Sequence, residues 1–266
     1  MRDGVSIGAR WDGGGQNARL RQAFDTGLID FVEANYPVGS GPDCDPSMGI
    51  PVYVHSPANS VASPTGLNRH ICEQVKAAAT RFDSPWIGEH LCATGPEAQS
   101  RLGYIVNPIL DPRLADVAVE NARALQRYYG RPLALELGPQ YQRVGEMPSE
   151  MHFLGDVARR ADCHIVLDIA HYTASNRNLR RSEDYGLDAL DPERIVEIHL
   201  AGLRTGKDRS YWHDAHERLP DDGMVAMAKD LAGRLPNLRA ITFEHEGKAP
   251  EADFFAFLTR LREELS

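Results

Sequence analysis

Short apolar runs alternate along the chain with longer segments in which apolar residues recur at helical spacing. The short runs, such as Ile165-Val166-Leu167, are rich in β-branched and other apolar residues and predict strands. The predicted strands cover residues 5–9, 31–34, 52–55, 86–90, 133–136, 165–168, 195–199 and 240–244. The longer segments predict helices at residues 16–26, 69–79, 112–129, 148–161, 187–190, 224–235 and 252–265.

The helix predicted at residues 112–129 has boundary signals at both ends. Asp111 supplies an N-cap carboxylate, and Pro112 suits the first helical position. Gly130 follows the last helical residue and ends the helix. Because most strands are followed by such a helical crossover, the sheet should be parallel and closed. The sequence therefore predicts an α/β fold, a (β/α)8 TIM barrel, in a single domain over residues 1–266, with no linker or repeat dividing it.

Composition narrows the class of protein. The 266 residues are 42% hydrophobic and 25% charged, which is typical of a soluble globular protein. The chain has no apolar stretch long enough to span a membrane and no apolar signal-peptide region, so a cytoplasmic location is expected. The net charge of −9 speaks against a nucleic-acid backbone as the main partner. The four cysteines form no C-x-x-C pair, and we expect reduced thiols.

Histidine and acidic residues concentrate where the predicted strands end. In a TIM barrel these positions face one shared mouth. Nine nitrogen and oxygen ligands are too many for one ion, and their carboxylates would repel one another without cations. A mixed set of His, Asp and Glu without thiolate suits iron, manganese or zinc. The sequence therefore predicts a site for two or three metal ions formed by His55, His90, Glu136, Asp168, His171, His199, Asp214, His216 and Glu244.

Each of these residues, taken alone, also has an ordinary structural explanation. A single His at a strand end is more often a hydrogen-bonded structural residue than a ligand, and Asp168 alone would be a loop cap. The occurrence of such residues on six successive strands favours metal binding. Glu89, His213 and His245 adjoin predicted ligands and should point to the opposite face, so we exclude them as ligands, while Glu89 remains a candidate supporting partner.

Several motifs together resemble the multinuclear non-heme iron-dependent oxidative enzymes (MNIO), a family that includes the methanobactin biosynthesis oxidase. Gly-Glu-His-Leu at residues 88–91 is similar to the family's Ser-Glu-His-Leu motif. Leu-Asp-Ile-Ala-His at 167–171 stands where Leu-Asp-Val-Asn-Asn is common, and Glu-Leu-Gly at 136–138 stands where Glu-Asn-Val is common. His-Leu-Ala-Gly at 199–202 and Asp-Ala-His at 214–216 match directly. The wider superfamily of xylose isomerases and endonuclease IV is similar in its barrel and ligand order.

The resemblance implies how the ligands would be divided among ions. The first ion would be held by His55, His90 and Glu136, the second by Glu136, Asp168, His199 and Glu244 with Glu136 bridging, and the third by His171, Asp214 and His216. His171 departs from the Asn that is common in the family. The cofactor implied is two or three iron ions in Fe(II)/Fe(III) states, with O₂ as co-substrate.

The function that the resemblance implies is oxidation of a ribosomally synthesised precursor peptide, at a Cys residue. The partners would be the precursor peptide and a separate protein that binds its leader. We expect the catalytic residues to be Glu136, Asp168 and His171, and the substrate contacts, just past strand six, to be Tyr172, Asn176 and Arg177.

Three alternatives stay open at this point. A zinc-dependent phosphodiesterase similar to endonuclease IV is supported by His171 and the complete ligand set, but the net charge of −9 opposes it. A sugar isomerase or epimerase would need a catalytic Lys or a second Glu that we do not identify. A catalytically silent binding scaffold is disfavoured because so many ligands lie at the open face.

Overall fold

The computed structural model describes residues 4–37, 45–46, 48–93, 106–207, 210–245 and 250–265. The strands, in chain order, are β1 (Ser6–Trp11), β2 (Phe31–Asn35), β3 (Val52–Ser56), β4 (Ile87–His90), β5 (Leu133–Glu136), β6 (His164–Asp168), β7 (Ile195–Leu200), β8 (Leu203–Thr205), β9 (Trp212–Asp214) and β10 (Ala240–Phe243). Strands β1 to β7 and β10 form a closed barrel of parallel strands, with β10 between β7 and β1. Strands β8 and β9 form a separate antiparallel pair. The predicted TIM barrel is confirmed.

Seven α-helices cover the barrel or follow its strands within the described residues. They are α1 (Asn17–Asp25), α2 (Arg69–Phe82), α3 (Pro112–Tyr129), α4 (Glu150–Ala161), α5 (Ile169–Asn178), α6 (Asp222–Arg234) and α7 (Glu251–Leu265). Both boundary signals of α3 act as the sequence predicts. Asp111 accepts a hydrogen bond from the Arg113 N–H, and Gly130 adopts the left-handed conformation with φ 66°. Short 3-10 helices occupy Gly14–Gln16 and Leu187–Ala189.

Two elements near the barrel mouth were not expected from the sequence. Helix α5 follows β6 without a connecting loop, because the Asp168 carboxylate that ends the strand also caps the helix. Most of α5 is buried on several sides, so its sequence lacks the one-sided apolar pattern that predicts a surface helix. The β8–β9 hairpin is too short to show an alternating pattern. Both elements carry predicted site residues, which the sequence alone had placed in loops.

The barrel interior is apolar at the end where the strands begin. Inward-facing residues of successive strands pack there into one cluster, which consists of Phe31, Trp86, Ala134, Val166, Val196 and Ala240, with Tyr53 against it. The Phe31 and Tyr53 rings stack with their centroids 4.0 Å apart. A larger cluster between the strands and the helices forms the remaining core. These side chains fill the interior at this end of the barrel, and the predicted site residues lie at the opposite end.

The helices and the cysteines of the structure bear on two expectations from composition. None of the helices in the described residues is long and apolar enough to cross a membrane. Cys72, Cys92 and Cys163 are buried free thiols, as expected, and Cys44 lies outside the described residues.

Candidate metal centre

The strand ends bring six of the nine predicted ligands to one buried site at the mouth. The period of two along each strand turns every second side chain inward, so residues at equivalent heights on neighbouring strands meet. Register pairs His90 with Glu136, and Asp168 with His199. The six side chains are buried, with at most 7% of any residue exposed: His55, His90, Glu136, Asp168, His199 and Glu244.

Glu136 lies at the centre of this site. Its Oε2 atom is 3.2 Å from His55 Nε2, 3.3 Å from His90 Nε2 and 3.5 Å from His199 Nδ1. Its Oε1 atom is 2.9 Å from His171 Nδ1. The Oε2 atom faces imidazoles of both the first and the second predicted sets, so Glu136 is the residue that these two ion sites would share. The positive charge of these imidazoles outweighs the effect of burial and holds the pKa of Glu136 well below its ordinary value.

Among the described residues, four groups of three side chains could hold a metal ion. Within each group, the ligand atoms lie within 4.8 Å of one another. One is the predicted first set, His55, His90 and Glu136. Another contains Asp168, His199 and Glu244 from the predicted second set. The remaining two combine residues differently, as Glu136, Asp168 and His171, and as Glu33, His55 and His199. The structure thus brings together the residues of the first two predicted ion sites.

The spacing and hydrogen bonding of these atoms fit metal ions. Ligands bonded at about 2.0–2.2 Å to one ion lie about 3.0–3.5 Å from each other, which is the range of the contacts around Glu136. Several of the atoms are buried and make no hydrogen bond with the described residues: His55 Nε2, Glu136 Oε2, Asp168 Oδ2, His171 Nδ1 and His199 Nδ1. Such buried atoms are costly unless a cation satisfies them.

The two carboxylate oxygens of Asp168 have different roles. Oδ1 accepts a hydrogen bond of 2.7 Å from the His171 N–H and caps α5, as an ordinary strand-end Asp would. Oδ2 faces the centre and makes no hydrogen bond. Burial, together with the charges of Glu136 and Glu244, raises the pKa of Asp168 to about 7. Burial lowers the pKa of His90 to about 3, which favours the neutral imidazole that binds metal.

The predicted third set is arranged differently from the first two. Asp214 Oδ2 lies 3.4 Å from His171 Nε2 and 2.7 Å from His216 Nε2. The second distance is shorter than the usual separation of two ligands around one ion. His216 Nε2 is also 3.3 Å from Glu244 Oε2. These three residues are close in space, and their assignment to a third ion stays a prediction.

Glu33 is a member of the site that the sequence analysis missed. It lies on β2, is 1% exposed, and its Oε2 atom is 3.2 Å from His199 Nε2 and 3.6 Å from His55 Nδ1. Burial would raise the pKa of Glu33, but the charges of His199 and His55 outweigh it and lower the pKa to about 2. Each imidazole therefore turns one nitrogen to Glu33 and the other to the centre. The sequence feature that could have revealed Glu33 is an acidic residue at an inward-facing position of a buried strand.

Two further residues at the mouth were not predicted. Arg10, at the end of β1, contacts His216 and Glu244. Tyr141 is 37% exposed, its ring centroid is 5.4 Å from that of His213, and burial followed by the charge of Asp214 raises its pKa. The exclusion of Glu89 agrees with its position, because it faces Asn59 and Tyr129 on the helix side of the barrel.

Two of the three predicted substrate contacts are buried inside the protein. Tyr172 is fully buried in the core between strands and helices, and Asn176 is 2% exposed. Arg177 pairs with Asp221 at 2.9 Å and stacks on the Trp212 ring. Their roles in substrate binding stay predictions, and the burial of Tyr172 and Asn176 does not favour them.

The barrel and its mouth define the class of protein as a TIM barrel with a candidate metal centre. A xylose isomerase domain-containing protein from Salmonella typhimurium superposes with a TM-score of 0.63 at 17% identity, over 98% of this chain and 97% of the other. Endonuclease IV from Thermus thermophilus superposes with a TM-score of 0.58 at 16% identity, over 97% and 99%. At such low sequence identities, the structural similarity shows a shared fold alone.

A match in amino-acid sequence shows the family to which the chain belongs. Residues 45–261 match the family model described as RiPP precursor modification enzyme MbnB/TglH/ChrH, where RiPP denotes a ribosomally synthesised and post-translationally modified peptide. The chain belongs to this family, which confirms the predicted resemblance. A UPF0276 protein from Caulobacter vibrioides is 29% identical over 239 residues, covering 87% of this chain and 84% of the relative. A UPF0276 protein from Anaeromyxobacter is 34% identical over 174 residues, covering 64% and 60%.

Proposed function

We propose that this protein uses a multinuclear iron centre and O₂ to oxidise a RiPP precursor peptide at a Cys residue. The observation that carries the proposal is the Glu136 cluster, in which several buried ligand atoms make no hydrogen bond with the described residues and the spacing suits two ions. Family membership supports an enzyme that acts in RiPP modification. The cytoplasmic location and a separate leader-binding partner protein are parts of the same proposal.

The residues of the two ion sites have distinct tasks in this proposal. His55 and His90 would hold the first ion, Asp168, His199 and Glu244 the second, and Glu136 would bridge them. A bound iron pair would supply one-electron redox chemistry and open positions for O₂ and a thiolate. Glu33 keeps the His55 and His199 rings turned toward the ions, as acceptors behind metal-binding histidines do.

The surroundings of the mouth suit a peptide. A cleft of about 1000 Å³ lies beside the β8–β9 hairpin, lined in part by Arg204, Trp212 and Arg218, and none of the candidate metal ligands is among its lining residues. Tyr141 is 37% exposed and feels the charge of Asp214, and we assign it the contact with the peptide segment that enters the centre. This assignment places the substrate on the open side of the barrel, where Tyr172 and Asn176 do not reach.

The test of the proposal begins with the metal. Protein produced in iron-supplemented medium should contain at least two iron ions per chain and be coloured. A short Cys-containing peptide encoded beside the gene is the substrate to use. With O₂, mass spectrometry should show a mass change confined to the Cys-containing fragment, and none without O₂ or with the Glu136→Gln variant. Full activity with zinc alone, or activity independent of O₂, would contradict the proposal.

The phosphodiesterase and isomerase alternatives gain no support beyond the shared fold, because their structures are no more than 17% identical to this chain. They provide useful control assays. Zinc-loaded protein should not cleave duplex DNA that contains an abasic site, and it should not interconvert ketoses and aldoses.

A further inference from the structure

One outer edge of the β8–β9 hairpin is paired by a side chain of the protein itself. Asn178, the last residue of α5, donates from its amide to the Trp212 carbonyl at 2.9 Å and accepts from the Trp212 N–H at 2.7 Å. The amide therefore occupies the outer edge of β9 as the backbone of a neighbouring strand would. This contact holds the hairpin against α5.

The outer edge of β8 has no such partner. Gly202 and Gly206, at the two ends of β8, hydrogen-bond with residues 211–215 on the opposite side of the hairpin, at 2.9 and 3.2 Å. Residues of an antiparallel strand alternately face toward and away from their partner strand, so Leu203 and Thr205 direct their N–H and C=O groups outward. Neither residue makes an outward backbone hydrogen bond with the rest of the described chain.

This free edge forms one wall of the cleft of about 1000 Å³ beside the hairpin. The other walls are residues 217–219 and the start of α7. A Cβ atom at Gly202 would overlap the Arg218 backbone, so the glycine allows this wall to pack close to β8. The Arg218 side chain is exposed and makes no ion pair among the described residues, and Leu219 is 38% exposed. The cleft thus combines unpaired main-chain groups with a free cation and an apolar side chain.

We propose that the outer edge of β8 binds an extended segment of the precursor peptide as an added strand, an inference that rests on the proposed function because that function makes the peptide the substrate. Main-chain bonds to Leu203 and Thr205 would provide affinity, and Arg218 and Leu219 would select an acidic and an apolar side chain. Leu203 pairs with Asp214 across the hairpin. The added strand would lie two strand spacings, about 10 Å, from β9, a distance that about three extended residues span on their way to the mouth.

A single extended chain suits this edge better than the sheet edge of a folded partner protein. Strand β8 has only three residues, and Leu203 and Thr205 are only partly exposed. The facing wall of the cleft includes Pro250 and Asp253 at the start of α7. A folded partner would bring further strands and side chains that need open space along the edge, whereas a peptide needs the width of one strand.

The first experiment removes one outward N–H. A fluorescein-labelled synthetic copy of the Cys-containing peptide encoded beside the gene is titrated into iron-loaded protein without O₂. Thr205→Pro removes the outward N–H and keeps the bonds of Gly202 and Gly206 to β9, and proline is tolerated on the free side of an edge strand. We expect peptide affinity to fall about tenfold. Thr205→Ala, the matched control, keeps the N–H and should bind as the wild type does.

Metal content and circular dichroism should match the wild type in both variants, which shows that the hairpin and the metal centre persist. With O₂, Thr205→Pro should raise KM for the peptide about tenfold and leave kcat unchanged, because the contact is the same in the ground state and the transition state.

The second experiment changes the peptide and needs no protein variant. Synthetic peptides carry an N-methyl group at one residue at a time, which removes one peptide N–H from each. An added strand predicts that affinity falls at every second residue of the bound segment, because only alternate N–H groups face β8. A loss without this alternation, or wild-type affinity in Thr205→Pro, would overturn the inference.

Two further outcomes separate the inference from its alternatives. If Thr205→Pro weakens binding of a leader-binding partner protein but not of the peptide, the edge belongs to the partner and the inference is wrong. If the peptide binds with the expected alternation but is not oxidised when O₂ is supplied, the docking edge stands and the proposed function is overturned.

Discussion

The two ends of the barrel interior are built from inward-facing residues of the same strands. They differ in whether their polar atoms find hydrogen-bond partners within the protein. Ala134 and Glu136 are two residues apart on β5, and Val166 and Asp168 are two apart on β6. The lower member of each pair packs in an apolar cluster. The upper member is a buried carboxylate with an oxygen that makes no hydrogen bond.

Polar atoms near the apolar end do have protein partners. Trp86 Nε1 donates to Glu197 Oε2 at 2.8 Å, and Thr242 Oγ1 donates to Glu197 Oε1 at 2.6 Å. Burial and the nearby charge of Glu33 raise the pKa of Glu197, which favours its neutral form. The comparison indicates that the lower end is satisfied by protein groups and stabilises the fold, while the upper end presents buried ligand atoms that a bound cation would satisfy. Changing one end of the barrel and measuring the other tests this separation.

The largest effect is expected for Glu136→Gln at the upper end. An amide cannot replace a carboxylate that faces four imidazoles and would bridge two ions, so metal affinity should fall at least about 100-fold and turnover should be lost. The fold should persist, because the apolar cluster is untouched. Metal analysis and circular dichroism measure the two effects. Glu146→Gln, an exposed change in the loop after β5, should alter neither; equal metal loss in both variants would refute the central role of Glu136.

At the lower end, Phe31→Ala should destabilise the protein by about 3–5 kcal/mol, the usual cost of removing a buried aromatic ring. The ring is 1% exposed, stacks on Tyr53 and fills the space beside Gly8. Urea unfolding of metal-free protein measures the loss, and the zinc content of the folded variant should remain that of the wild type. Tyr128→Ala, which removes an exposed ring, should cost much less. Loss of zinc from folded Phe31→Ala would show that the two ends are not separable.

An intermediate effect is expected for Glu33→Gln, which lies between the two ends. Replacing the charged acceptor behind His55 and His199 should weaken zinc binding about 10–100-fold, as for other residues that support metal ligands. Competition with a chelator measures the affinity. Glu197→Gln is the matched control, because this carboxyl is equally buried but accepts its hydrogen bonds from Trp86 and Thr242. Similar losses in both variants would indicate a general packing effect rather than support of the histidines.

The smallest effect concerns pH. The pKa of Asp168 in ion-free protein is raised to about 7, so below that pH an ion must displace a proton from this carboxyl. Zinc affinity should therefore fall by up to about tenfold for each pH unit below 7 and change little from this group above it. Isothermal titration between pH 6 and 8 measures the slope. Asp168→Asn should bind more weakly and lose this part of the slope, and an unchanged slope would assign it to another group.

The sequence predicted the barrel because the spacing of apolar runs and helix signals is local information. It also predicted which His and acidic residues end the strands, since a barrel sends all strand ends to one mouth. Register then follows from the closed sheet, and it places His90 beside Glu136 and Asp168 beside His199. Helix α5 was missed because it is buried on several sides, so no apolar face is visible in its sequence.

The sequence by itself determined the fold and the types of ligand gathered at the mouth. Only the tertiary structure decided what stands behind each imidazole: Glu33 behind His199, and Arg10 beside His216, which is 206 positions away along the chain. Whether a histidine presents a lone pair or a proton depends on the donor or acceptor that its other nitrogen meets. That partner comes from a different strand, brought near only when the barrel closes, so no local pattern in the sequence records it.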